Sequence, residues 1–210
     1  MTRLPASTVW RRLDLSGKNF TTSSEIRKMA SSIGEDDTRS LLYLQEQGYI
    51  QRILRGVFYV KTPDELERGS LGVSIYEMVS RALRMKGVRS WYFGLESALK
   101  LNEMTHEFFP VEVVVTDSFR TTKIIGISYS RFQFLRWSPD HFRFGLVRRR
   151  GLIFSDKEKT VLDIAYKRLL ERQDPNYVRS IIREYEPLLD KKRLKEYLSF
   201  YPSRLQDVLR

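Results

Sequence analysis

The chain contains no cysteine in its 210 residues. That absence excludes disulfides, thiolate metal sites and cysteine nucleophiles. Histidine is almost as scarce: His106 and His141 are the two present, too few for a histidine-rich metal centre. Long apolar runs are missing too. No stretch approaches the roughly 18 consecutive apolar residues of a membrane helix, and the opening MTRLPASTVWRRLDL has no apolar signal core. A cytoplasmic protein without a membrane partner is expected. Internal repeats and low-complexity tracts are also lacking, as is any glycine-rich phosphate loop.

Charge is abundant. Charged residues make up 30% of the chain and apolar ones 41%, a balance that suits one or two globular domains. The net charge is +11 and the pI about 9.9, which favours a polyanionic partner. Residues 1–62 hold 10 basic and 6 acidic side chains, a net +4. Residues 63–154 hold 14 and 10, again +4, and residues 155–210 hold 13 and 10, a net +3. The excess is spread, so charge alone singles out no segment. Several parts meeting nucleic acid would produce it, and so would the Lys/Arg/Glu-rich surface of a heat-adapted protein.

The most informative stretch is residues 35–61, EDDTRSLLYLQEQGYIQRILRGVFYVK. Asp36, Asp37 and Thr38 suit the start of a helix, whose first N–H groups are unpaired. Leu41 and Leu44 follow at i, i+3, and Gly48 stops the helix. Residues 49–54 and 57–60 are two β-branched and aromatic runs around Arg55-Gly56, the signature of a hairpin. Two earlier helices are expected, one over residues 7–15 capped by Ser7 and one over 25–32 capped by Ser23 or Ser24. Three helices and a hairpin outline a winged helix-turn-helix over residues 1–62. Thr38, Arg39, Ser40, Tyr43 and Gln47 then lie outward, where they reach base edges and phosphates. Gln51, Arg52 and Arg55 lie on the wing.

Residues 61–69 contain Pro63 and mark the expected domain boundary. Beyond it, helices are expected over 71–85 and 92–101. Strands are expected over 111–116, 123–129, 132–137, 142–147 and 152–154. Ser155 and Glu158 fit a capping box for a helix over 155–171, and a helical tail follows from about residue 175. The fold class is therefore α+β: a winged helix, then residues 63–210 with a mostly antiparallel sheet and C-terminal helices.

No catalytic set stands out among these elements. Ser97 stands in no nucleophile-elbow context, and Ser97-Ala98 suits close helix packing. Glu96, Glu112 and Asp117 are the least unfavourable metal ligands, which would make a magnesium-dependent nuclease. The pattern favours ordinary paired carboxylates, so no enzyme, metal or cofactor is expected. Arg148-Arg149-Arg150 is the densest basic run, suited to a solvated strand end or to a phosphate or acidic-partner contact.

Residues 92–99 (YFGLESAL) resemble the tyrosine-to-Ser-Ala-Leu helix of the AbiEi-like antitoxin and transcriptional-regulator family. Residues 155–163 (SDKEKTVLD) resemble its Pro-Glu-Lys-Thr-x-x-Asp segment, with Lys157 where the family often has proline. Residues 55–59 (RGVFY) are similar to its Arg-Gly-Val-Tyr hairpin. Residues 20–170 share this ordered trio. The resemblance implies an autorepressing, operator-binding first domain and a second domain that counteracts a nucleotidyltransferase-like toxin or protects its target. Many members of the family are known only as regulators, so the resemblance also allows a stand-alone transcriptional regulator without a toxin. Homodimerisation is compatible with either role.

Overall fold

A computed structural model describes residues 7–210; the first six residues of the expected first domain and of the opening segment lie outside the described residues. Two compact units are present. One ends at Gly87 and includes Ile127–Tyr129; the other comprises Val88–Gly126 and Ser130–Arg210.

The first unit runs α1 (Ser7–Leu15), β1 (Phe20–Thr22), α2 (Ser23–Ser32), α3 (Asp37–Glu46), β2 (Ile50–Leu54), β3 (Val57–Val60), α4 (Pro63–Arg68) and α5 (Ile75–Met85). The cap of α2 is Thr22, not Ser23 or Ser24. Strand β1 holds Thr22 extended, so its hydroxyl accepts from the Glu25 N–H while the Glu25 carboxylate accepts from the Thr22 N–H. Asp36 caps α3, accepting from the Arg39 N–H at 2.7 Å. Gly48, at φ +72°, then turns the chain into β2. The three strands pair antiparallel in the order β1-β3-β2. Val9, Leu13, Ile26, Ala30, Leu44, Ile50, Phe58 and Val60 form the core that locks the helices to this sheet.

This unit extends well past residue 62. Glu65 on α4 is buried; its carboxylate accepts from the Tyr59 hydroxyl at 2.7 Å and from the N–H groups of Gly72 and Thr62 at 2.6 and 2.9 Å. Helix α5 buries Ile75, Met78, Val79, Ala82 and Leu83, one stripe at i, i+3, i+4, i+7, i+8, and packs on β2 and β3. A buried carboxylate and an apolar stripe thus tie residues 63–87 to the first sheet. The polar, proline-bearing segment is a short capped helix and not the boundary.

The second unit continues with β4 (Trp91–Phe93), α6 (Leu95–Leu101), β5 (Glu112–Thr116), β6 (Ile125–Ile127), β7 (Ser130–Arg136), β8 (Leu146–Arg149), β9 (Leu152–Ser155), α7 (Lys157–Leu170), α8 (Pro175–Tyr185), α9 (Lys191–Leu198) and α10 (Ser203–Leu209). The strand order is β6-β7-β5-β4-β9-β8. The sheet is mixed and not mostly antiparallel, because β5/β7 and β4/β9 are parallel while β4/β5 and β8/β9 are antiparallel. Each parallel pair requires a long connection that returns the chain to the same end of the sheet.

Tyr92 and Phe93 belong to a central strand and not to the expected helix. Gly94 makes the switch: a Cβ there would lie 2.9 Å from the Tyr92 ring and 3.1 Å from Val115. The Ser155/Glu158 capping box does not form either. Asp156 caps α7 by accepting from the Lys159 N–H at 2.9 Å, Ser155 closes β9, and Glu158 accepts from the Asp190 N–H at 2.8 Å. The architecture is α+β throughout. Among the described residues, no helix is long and apolar enough to cross a membrane.

Candidate functional site

Helix α3 offers an open face built from Thr38, Arg39, Leu42 and Glu46, all exposed, with Leu42 at 53%. Gln47, its C-cap, is exposed beside them. Ser40 is not on this face. It is 1% exposed and shares the inner face with Leu44, four residues on, so its hydroxyl cannot meet a base. Tyr43 is half-buried at the rim, its ring 6.3 Å from that of Tyr49. Tyr49 in turn stacks on Trp10 at 4.9 Å, and the Trp10 indole N–H donates to the Lys61 carbonyl at 2.8 Å. These aromatic contacts brace α3 against the base of the hairpin.

The hairpin is short and tightly turned. Gly56 takes φ +76°, and its carbonyl accepts from the Ser23 N–H at 3.0 Å, which fastens the tip to the start of α2. Arg52 and Arg55 are exposed, whereas Gln51 is half-buried with its amide donating to the Arg52 carbonyl at 3.3 Å. Arg27 and Lys28 on α2 are exposed as well. Acidic side chains frame the same region: Glu35, Asp36 and Asp37 precede or open α3, and Glu46 closes it. The positive charge of this region therefore lies on the arginines and lysines beside α3, and the carboxylates make the helix start itself acidic.

The triple-arginine run separates in the fold. Arg148 and Arg149 end β8 and Arg150 enters the turn at φ +49°. All three are exposed, but Arg149 lies over the Phe154 ring at 5.2 Å and donates to the Leu101 carbonyl. Arg148 and Arg150 have no ion pair among the described residues.

A different set of residues converges inside the second unit. Lys159 and Asp163, one turn apart on α7, form an ion pair at 3.1 Å with both side chains fully buried. Asp163 Oδ1 also accepts from the Tyr201 hydroxyl at 2.5 Å, and Oδ2 accepts from the Tyr92 hydroxyl at 2.9 Å. The Lys159 ammonium sits over the rings of Phe144, Tyr92 and Tyr201 at 4.3, 4.9 and 5.8 Å. Burial holds the Lys159 ammonium below its ordinary pKa against the pull of Asp163. Burial first, and then the Asp163 charge, push both phenols well above theirs.

Gly145 lets the chain cross this group. At φ +61°, a Cβ would come within 2.7 Å of Lys159 Cβ. His141 borders it, its ring 5.3 Å from those of Tyr166 and Tyr201 and 5.0 Å from Trp137, with Nδ1 buried and without a hydrogen-bond partner. Burial keeps its imidazole below the ordinary pKa. Closed to solvent, the Lys159–Asp163 node fixes β4, α7 and the C-terminal helices relative to one another.

Tyr92, Lys159 and Asp163 come from the two segments singled out by resemblance, and the fold joins them directly. Phe144 and Tyr201 were not legible as partners. The available signal was a Lys and an Asp at i, i+4 in a helix whose other faces, Val161, Leu162, Ile164 and Ala165, are apolar.

The three candidate metal ligands are separately engaged. Glu96 pairs with Arg168 at 2.9 Å, Glu112 pairs with Lys100 and accepts from the Ser97 hydroxyl at 2.5 Å, and Asp117 accepts from Ser118 at 2.7 Å. The Ser97 hydroxyl also accepts from the Val113 N–H at 2.7 Å, so Ser97 bonds β5 as well as packing against it. Among the described residues, no three acidic or histidine side chains gather as a metal site.

A crystal structure of the RV2827C protein from Mycobacterium tuberculosis is similar in fold, with TM-score 0.59 and 15% sequence identity, covering 100% of this chain and 78% of that one. At that identity the likeness concerns the fold alone. No protein-family model matches the chain, and no curated protein does.

Proposed function

We propose that the first unit is a winged helix-turn-helix that binds duplex DNA, and that the chain is a cytoplasmic, non-enzymatic transcriptional regulator. In this proposal α3 is the recognition helix and the β2–β3 hairpin a short wing. The observation that carries it is the placement of Arg39 on the open face of a capped, core-anchored helix, with exposed Arg52 and Arg55 on the hairpin that follows. Arg39 is the base-reading candidate, Thr38 and Gln47 its neighbours, and Arg52 and Arg55 the phosphate contacts.

The AbiEi-like resemblance extends this to an autorepressing antitoxin, with residues 1–62 as the DNA-binding segment and the rest counteracting a nucleotidyltransferase-like toxin. Its support is that Tyr92 meets Lys159 and Asp163 in one buried node, as expected if the two resembling segments act as a structural pair. A stand-alone regulator is the second reading, and the same α3 face serves it.

Selection of bound duplexes from a random library, followed by a salt titration, tests DNA binding. The expected result is an enriched motif whose affinity falls linearly in log–log against salt. No enrichment would remove the regulator reading. Co-expression with a neighbouring nucleotidyltransferase separates the roles: restored growth supports the antitoxin, and arrest with intact DNA binding leaves the stand-alone regulator.

A further inference from the structure

The C-terminal helices leave a groove of about 450 Å³. One wall is the α9 stripe Lys191, Leu194, Lys195 and Leu198, spaced i, i+3, i+4, i+7, and the other is Gln206, Leu209 and Arg210 at i, i+3, i+4 on and just beyond α10. Ile182 of α8 forms the floor, with the buried Leu162 of α7 beneath it. This is the outline of a helix-packing seam with one helix missing. Helix α9 supports the same view, since none of its residues is fully buried and both of its leucines, packed on the core from one side, stay partly exposed.

The charges choose the occupant. Lys191 and Lys195 line one wall and Arg210 the other, and no acidic side chain lines the groove. Lys191 and Arg210 have surface partners, Glu186 at 2.7 Å and Asp207 at 3.6 Å. Lys195 has no ion pair among the described residues. An apolar floor between cationic rims disfavours a nucleic acid, which offers phosphates but no leucine-sized knobs. It suits an apolar stripe flanked by carboxylates. We propose that this groove docks an acidic amphipathic helix of a partner protein, its apolar residues at i, i+3/i+4, i+7 seated on Ile182, Leu198 and Leu209 and its carboxylates facing Lys191, Lys195 and Arg210.

Fluorescence anisotropy with the full chain and two labelled peptides tests this. One peptide repeats leucine at helical spacing with glutamate elsewhere; the other has every glutamate replaced by lysine. Saturable binding of the acidic peptide alone is expected. Lys195→Glu, at an exposed position that leaves the fold intact, should weaken the acidic peptide about tenfold or more and improve the basic one. Leu209→Glu should abolish binding, with circular dichroism confirming an unchanged fold. Absence of saturable binding, equal binding of both peptides, or indifference to Lys195→Glu would overturn the proposal.

Discussion

Replacing Asp163 by asparagine removes the carboxylate that pairs directly with the Lys159 ammonium, leaving the weaker pull of Asp156, and keeps the side chain nearly the same size. The wild-type pair is fully buried at 3.1 Å, and the surrounding rings of Phe144, Tyr92 and Tyr201 supply only cation–π attraction. That attraction is worth on the order of 2 kcal/mol when desolvated, less than the loss of a buried counter-ion, about 3–5 kcal/mol. Asp163→Asn should therefore remove roughly a fifth or more of a domain stability of about 5–15 kcal/mol. Adding Lys159→Met takes away the orphaned charge. The remaining loss is one phenol without a full acceptor, about 1–3 kcal/mol, so the double variant should be more stable than Asp163→Asn alone. Urea unfolding followed by tryptophan fluorescence and circular dichroism measures both. With a urea slope of about 1–3 kcal/mol per molar, the single variant's midpoint should fall by roughly 2 M. A single variant within about 1 kcal/mol of wild type, or a double variant worse than the single, would refute the assignment of the node as a buried, charge-compensated anchor.

Three further outcomes follow from the geometry. Because burial lowers the pKa of His141 in the fold, the unfolded chain gains a proton first as pH drops below 6.5, so stability present above that value declines as pH falls toward the folded pKa; unfolding of His141→Phe between pH 5 and 7, measured by urea titration, should show a shallower slope than wild type. Gly145→Ala should cost roughly 1–2 kcal/mol for the left-handed backbone alone, and more for the approach to Lys159 Cβ, read as a lowered melting temperature. Arg52→Ala and Arg55→Ala should each weaken binding to all duplexes alike and reduce the salt slope by about one; a changed preferred sequence with an unchanged slope would mean the hairpin reads bases.

Periodicity made much of the helical framework visible, since α1, α2, α3, α5 and α7 to α10 all follow apolar stripes. It failed where a residue's partner is distant in sequence. Tyr92 and Phe93 look helical beside Leu95, Ala98 and Leu99, yet β5 and β9 recruit them as a central strand. Ser40 looks like a polar surface residue, but the 3.6-residue turn sets it beneath Leu44. Residues 63–69 look like a linker because Pro63 and the charges dominate, although Pro63 opens a helix and Glu65 is bound by Tyr59. The Lys159–Asp163 node was half legible: a Lys and an Asp at i, i+4 stand on an otherwise apolar helix, but Phe144 and Tyr201 join only through the fold.

The most direct test of the central claim is a mobility-shift titration of a selected duplex with wild type, Arg39→Ala and Ser40→Ala. If α3 reads bases through its open face, Arg39→Ala should lose about 1–3 kcal/mol on the selected site and discriminate less at one base pair. Ser40→Ala, altering only a buried hydroxyl, should bind as wild type does. Equal binding by wild type and Arg39→Ala would contradict α3 as the recognition helix.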